Sequence, residues 1–470
     1  MWTRRRFCPL WLLLGAMGLP EPTGGQCNTQ EVAKLIASNA AAADYFGVSV
    51  ALDADTLVIG AYGDDYGAET TDSGAAYVFV RAGGVWSQQA YLIDLLGNDL
   101  DYFGYSVAID GDTAVIGAYL ADVGNVIDAG AAYVFVRSGG VWTQQAKLVA
   151  SDAAEADWFG YSVAVSGNTA VVGAHQRDAV GKADAGAAYV FVRAGTVWTQ
   201  QAVLTASDTA AFDYLGRSVA LADDTAVAGA SSADLPGKDG AGAAYVFFRT
   251  GSVWTPQAKL TASDAAAFDN FGFSVALADD TAVVGAIYDD HPGGSNAGSA
   301  YVFARSAGVW TSQGKLTAVD AAASDAFGRA VAVSGNMTVI GANQDDHAGG
   351  SNAGSAYVFV RFGTVWTQRA KLTAADAAAS DHFGSAAVVD GRTAVIGAMN
   401  DDLPGGADAG SSHVFLVDCL ADPSIPSASD WGIVILSLAT LAVGTVLIRT
   451  RRPVVPGFVN PLAAAIASRS

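Results

Sequence analysis

An all-β fold is expected from this chain, a seven-bladed β-propeller of four-stranded antiparallel blades followed by one C-terminal transmembrane helix, and three observations of periodicity carry the propeller. A Phe-Gly step recurs seven times, at Phe46, Phe103, Phe159, Leu215, Phe271, Phe327 and Phe383, at a constant interval but for a single extra residue in the first; only Leu215 departs from Phe. A Gly-Ala step follows at the same remove each time, at Gly60, Gly117, Gly173, Gly229, Gly285, Gly341 and Gly397. Trp86, Trp142, Trp198, Trp254, Trp310 and Trp366 keep the same register. A recurring unit of this size overrides the usual prior of about 150 residues per domain, so most of the 470 residues form one repeat domain.

Each unit reads as four short strands. In the third, FGYSVAVSG from Phe159, then TAVVGA, AGAAYVFVR and VWTQQAVL are rich in Val, Ala and aromatic residues and are bounded by Gly, Asp or Asn. Two-residue links such as Asp110-Gly111, Ser166-Gly167, Gly139-Gly140 and Gly195-Thr196 suit tight hairpins that need positive φ. Four antiparallel strands per unit of this length describe propeller blades, each burying its faces on its neighbours.

Composition narrows the function classes. A formal net charge of −21, with only seven Lys, argues against nucleic acid, because phosphate binding needs clustered cations. Three cysteines, Cys8, Cys27 and Cys419, are too few for a disulfide-dense scaffold and lack zinc-site spacing. Arg4 to Arg6 ahead of an apolar run from Phe7 to about Leu19 have the layout of a secretory signal peptide, placed at 1–25. The repeat domain spans 26–421 and a linker 422–430. Residues 431–448 carry no charge over a length that just crosses a bilayer core, and Arg449, Arg451 and Arg452 then place the 449–470 tail on the cytoplasmic side.

With seven in-register copies, the Phe-Gly and Gly-Ala words resemble the FG-GAP repeats of integrin α-chain propellers and their bacterial relatives, over about residues 28–420. The resemblance implies a propeller used outside the cell for binding or adhesion, and no chemistry by itself. The stretch from Ile425 through Trp431, the apolar span and the Arg cluster resembles the IPTL-type C-terminal sorting signals of bacterial envelope proteins. That second resemblance implies export to the envelope and tethering there, with or without later processing.

The ends of the repeat assign the cysteines. The seventh unit stops after its third strand, at His413 to Cys419, while the chain begins with the orphan segment Gln30 to Leu35. The N-terminal segment is therefore expected to supply the outer strand of the last blade. Aligning Lys34 with Lys371, and His413 with Tyr357, puts Cys27 and Cys419 at consecutive positions of a hairpin turn, within disulfide reach. Cys8 leaves with the signal peptide.

Strand parity sorts the loops onto two faces. The links from second to third strand, and from one blade to the next, fall on one face, called the bottom here. Asp44, Asp101, Asp157, Asp213, Asp269, Asp325 and Asp381 precede the Phe-Gly steps on that face. Asp65, Asp122, Asp178, Asp234, Asp290, Asp346 and Asp402 follow the Gly-Ala steps, and Asp289, Asp345 and Asp401 double three of them. This second, partly doubled series is the candidate binding face. Two readings of it stay open: loop-stabilising Asx turns, or a negative field for a cation or basic partner. Arg81, Arg137, Arg193, Arg249, Arg305 and Arg361 end the third strands toward the top, so an electrically polarised molecule is expected.

No cofactor is expected. The links between first and second strands are too short, and too poor in oxygen ligands, for the calcium cage of integrin-type repeats; the bottom DDxxGG loops offer only weak Ca²⁺ ligands. The five histidines form no dyad, and GxSxG, HExxH and P-loop motifs are absent. The expected function is non-catalytic binding or adhesion at the cell surface, to an extracellular protein, glycan or matrix ligand. The alternatives are a purely structural surface protein and, more remotely, a propeller-based hydrolase or lyase.

Overall fold

The computed structural model describes residues 26–419, apart from 66–70, 96–97 and 405. The expected signal peptide, the 422–430 linker, the transmembrane and sorting segment and the cytoplasmic tail lie outside the described residues. Among the described residues, no helix is long and apolar enough to cross a membrane.

Seven four-stranded antiparallel sheets follow one another along the chain. The second is typical, with strands Phe103–Asp110, Thr113–Ala118, Ala131–Ser138 and Val141–Leu148 running from the innermost position outward. The innermost strands of all seven blades form a closed ring of neighbours around a central channel, the first (Ser49–Asp53) meeting the last (Phe383–Asp390). Glycines take the hairpin turns as expected, with φ of 58° at Gly111, 59° at Gly139 and 82° at Gly140.

The core is divided into seven clusters, each lying between successive blades. Ala51, Val58 and Val78 of the first blade, for example, meet Phe103, Ile116, Tyr133 and Phe135 of the second. The Phe of each Phe-Gly step is the wedge at this interface: Phe103 packs edge-on to Tyr133 and Phe135 at ring distances of 5.3 and 6.1 Å. Both glycine words serve the same seam. The Phe-Gly glycine adopts φ near +90° (92° at Gly104), and its carbonyl lies where a Cβ on the preceding blade's Gly-Ala glycine would stand. Ser49 Oγ donates to that carbonyl, and Ser106, Ser162, Ser218 and Ser274 repeat the bond.

The last blade closes as the alignment predicts. Asn28–Leu35 pairs antiparallel with Ser411–Asp418, Asn28 opposite Asp418, and Val32 bulges out where Gln145 does in the second blade. Cys27 and Cys419, with Cα atoms 4.3 Å apart, are disulfide-bonded across 392 residues of sequence. They take the place of the covalent turn found in the other six blades.

Candidate functional site

The seven aspartates that precede the Phe-Gly steps are buried, each 2–4 % exposed. Every one accepts a hydrogen bond from the backbone N–H three residues earlier, as Asp101 does from Asn98 and Asp325 from Ala322. Burial pushes these carboxyls up, Asp44 to about 7, Asp101 and Asp325 to about 6, the other four in the same direction.

Asp65, Asp122, Asp178, Asp234, Asp290, Asp346 and Asp402 are exposed at the bottom. Each Oδ1 accepts a backbone N–H six or seven residues further along its own loop, from Asp72, Asp128, Asp184, Gly240, Asn296, Asn352 and Asp408 respectively. All seven thus staple the loop between second and third strands. Their doubled neighbours Asp289, Asp345 and Asp401 are 2, 2 and 6 % exposed and sit beneath that surface. Of the ten candidate binding aspartates, only the first seven face solvent. His291 and His347 are staples too: Nδ1 accepts from the N–H of Gly293 and Gly349, both at 3.0 Å.

A half-buried lysine under the bottom loops holds each of the doubled aspartates. Lys315 reaches Asp289 at 2.6 Å and Asp264 of the preceding link at 2.7 Å; Lys371 does the same with Asp345 and Asp320, and Lys34 with Asp401 and Asp376. Tyr301 donates to Asp264 at 2.7 Å. Where Val203 replaces the lysine, Arg177 from the neighbouring loop pairs with Asp152 at 2.7 Å instead. In the first blade Tyr91 replaces the lysine, and Asp64, which corresponds to Asp289 in the repeat, receives Tyr77, Tyr91 and Asn39. Asp64 is not among the residues expected from the sequence.

These networks have opposite pH dependences. The seven raised carboxyls bind protons more tightly folded than unfolded, so their contribution grows as pH falls from about 7 toward 4. Against burial, which would raise them, Asp152, Asp208, Asp264, Asp320 and Asp376 are held below the usual range by ion pairs with Arg177 or a lysine, and stability from them is lost as pH falls below about 4. His175, driven down to about 3 by burial and by Arg217, opposes the first group between about 6.5 and 3 as a single imidazole. The thermal midpoint is therefore expected to rise from pH 7.5 to about 5 and to drop below about 4. A monotonic decline from 7.5 to 5 contradicts this assignment.

The expected polarisation is not found. Arg81, Arg137, Arg249 and Arg305 each pair at 2.6 Å with an aspartate of their own blade's first hairpin, Asp55, Asp112, Asp224 and Asp280. Further carboxylates, Asp53, Asp110, Asp223, Asp279 and Asp390, surround the channel's top mouth. The arginines lie at the top, but the charge of these four is neutralised locally, while Arg193 and Arg361 donate to Asn168 and Asn336 instead. Each also donates to a threonine of the blade before, Arg137 to Thr56 at 3.0 Å.

A set of positions that differ between blades gathers at the bottom mouth of the channel. They flank the constant words: the residue before Phe-Gly, the residue after it, and the residue after Gly-Ala. In the first four blades they hold Tyr45, Tyr62, Tyr102, Tyr105, Tyr119, Trp158, Tyr161, His175 and Tyr214, a continuous arc of rings. Tyr45 stacks on Tyr62 at 4.9 Å and the Tyr105 and Tyr161 hydroxyls meet at 3.0 Å. The residue before Phe-Gly has φ of 55–58° in all seven blades, including Tyr45, Tyr102, Trp158 and Tyr214. A left-handed backbone is costly for aromatic residues and collects at functional sites. On the other half of the mouth stand Arg217, Phe273, Arg329 and Asn343. Arg217 lies over Phe273 at 4.2 Å and Tyr161 at 5.6 Å, and Arg329 over Phe273 at 5.1 Å. None of these mouth residues is singled out by the sequence reading. The legible signal is their variation inside an otherwise copied unit.

Among the described residues, no group of three or more His, Cys, Asp or Glu is arranged to hold a metal ion. Seven such blades around a channel, with the variable positions gathered at loop and channel ends, make this a repeat propeller. The FG-GAP repeat family matches residues 29–79, 86–135, 142–191, 198–247, 254–303, 310–359 and 366–415, and the chain belongs to that family. Each matched unit starts at one blade's outer strand and ends in the third strand of the next, the same offset that lets the N-terminal strand close the ring. No curated protein matches the chain. Among solved structures, Saccharomyces cerevisiae Sqt1 is similar at 10 % identity, covering 80 % of this chain and 83 % of that one with a TM-score of 0.43, too loose a likeness to carry an argument.

Proposed function

We propose that this chain is an exported, envelope-tethered propeller that binds an extracellular protein, glycan or matrix partner without catalysis, through the bottom mouth of its channel. One observation carries the proposal: the repeat varies at that mouth, and in its first four blades it places there a continuous aromatic arc, the side-chain type that dominates binding surfaces. The seven exposed aspartates around it add a negative field that favours a basic partner. The ring-closing disulfide supports an oxidising compartment. A purely structural role is the second reading, favoured by the fact that all fourteen aspartates of the two series serve their own loops.

Residues 26–420 form a compact unit with its own seven cores and suit a binding assay on panels of purified matrix proteins and glycans. The Tyr62→Ala/Tyr102→Ala variant is expected to lose at least about tenfold in affinity for any partner found, in keeping with aromatic hot spots. Asp122→Asn and Asp178→Asn should mainly weaken the salt dependence. Undiminished binding by the tyrosine variant moves the site elsewhere, and the absence of any saturable partner leaves the structural reading.

A further inference from the structure

The channel interior just above the bottom mouth holds two arginines that no carboxylate neutralises. Arg217 and Arg329 form no ion pair among the described residues; their contacts are the faces of Phe273 and Tyr161. Arg329 Nε is buried without a hydrogen-bond partner. Nearby, Asn343 and His175, 6 % and 2 % exposed, each bury a polar atom, Oδ1 and Nδ1, that is also without one. Asn343 and Arg329 occupy in the sixth blade the places of His175 and Tyr161 in the third, whose rings are 4.1 Å apart, so the unpartnered atoms share one level of the channel. Arg329 also acts electrostatically on Tyr105 of the second blade, and Arg217 on His175 of the third. This level is thus cationic, lined by hydroxyls and an amide, and incompletely hydrogen-bonded. A cation–π contact only partly offsets the cost of leaving the half-buried guanidinium groups without a carboxylate partner.

The mouth outside it has the opposite character. Asp72, Asp128 and Asp408 stand half-buried beside it, their backbone carbonyls accepting from the N–H groups of Tyr102, Trp158 and Tyr45. A carboxylate rim over aromatic faces favours a cation, above all one too bulky to be strongly hydrated. The two levels are separated by the three residue steps from Tyr102 to Tyr105, at most about 10 Å.

We propose that this mouth is a site for a small zwitterion of the phosphocholine type, its anionic group inward on Arg217 and Arg329 and its quaternary ammonium outward among Tyr45 and Tyr102. The dipole of such a ligand matches the charge order of the channel, which a simple anion or a simple cation does not. The inference rests on the binding role of this mouth and names its ligand class. A free headgroup and one carried on a lipid or glycan present the same chemistry.

The test is calorimetric titration of the 26–420 unit with phosphocholine, choline and inorganic phosphate in parallel, followed by vesicles of phosphatidylcholine against vesicles of phosphatidylglycerol. Phosphocholine is expected to bind saturably and at least about tenfold more tightly than either half-ligand, and to raise the thermal midpoint. Arg217→Met and Arg329→Met should reduce phosphocholine to the affinity of choline, and Tyr102→Ala should reduce it to that of phosphate. Vesicle binding confined to phosphatidylcholine assigns the lipid source, and phosphocholine binding without it assigns the free or glycan-borne headgroup. Equal affinity for phosphocholine and either half-ligand, no binding of all three, or wild-type affinity in both arginine variants overturns the proposal. The wild-type arms decide the matter even where a variant does not fold. Should phosphocholine fail while Tyr62→Ala/Tyr102→Ala still abolishes capture of a matrix or glycan partner, the binding role stands and only the ligand class falls.

Discussion

Cys27→Ser is expected to lower the thermal midpoint of the 26–420 unit by about 4–6 °C under non-reducing conditions, and a reductant is expected to do the same to the wild type and nothing further to the variant. The bond joins residues 392 apart in sequence. Closing so long a loop removes about 6 kcal/mol of conformational freedom from the unfolded chain in the entropy model, of which such bonds typically deliver about 3–5 kcal/mol, and a unit of this size converts that into a few degrees. The folded ring should survive, because Asn28–Leu35 keeps its pairing with Ser411–Asp418, and Leu35 and Ala37 remain buried between the last and first blades. Fraying should therefore begin at that seam, visible as faster amide exchange in Thr29–Glu31 than in the matching Trp142–Gln144 of the second blade. Two free thiols in the secreted protein, or an unchanged midpoint on reduction, are the results that exclude this role.

Gly117→Ala adds a single methyl group and should nevertheless cost at least about 3 kcal/mol, because the nearest obstacle to it is backbone. A Cβ there would stand 1.9 Å from the carbonyl oxygen of Gly160 and 2.3 Å from Ser106 Oγ. Relief requires the second and third blades to part, which opens the cluster containing Val115, Phe159 and Val172. Gly139→Ala separates crowding from conformation. Gly139 has φ of 59° but nothing within 4 Å of a Cβ, so only the cost of a left-handed alanine remains, about 1 kcal/mol. Urea unfolding of the two variants checks the order. Equal losses would mean that the Gly-Ala glycine is not the contact that sets blade spacing.

The propeller was legible because a constant repeat period reports a geometric necessity: every blade must offer its neighbour the same face. Strand number, hairpin turns, the N-terminal closing strand and the cysteine pair all follow from aligning one unit with the next. Charge was less legible. Arg137 and its partner Asp112 belong to the same blade, and alignment between blades says nothing about pairing within one. The polarised molecule expected from the row of arginines is thus replaced by a top face of local ion pairs. Similarly, Asp289, Asp345 and Asp401 read like further surface carboxylates, whereas Lys315, Lys371 and Lys34 hold them beneath the loops. The exchange of Val203 and Arg177 for the lysine and aspartate of other blades is visible in sequence, but its meaning as one displaced cation emerges only when the two loops are seen together.

The number of blades, their strand order, the closure of the ring and the face on which each loop emerges are all written in the linear order of the residues. They depend on periodicity and strand parity, both properties of a chain read in one dimension. Which side chains converge is a different kind of fact, and it required the folded ring. Tyr45, Tyr105, Trp158, Arg217 and Arg329 come from five different blades and share only their place beside the Phe-Gly step. They meet because seven inner strands surround one axis, and a ring brings together at its centre what the repeat keeps a fixed distance apart along the chain.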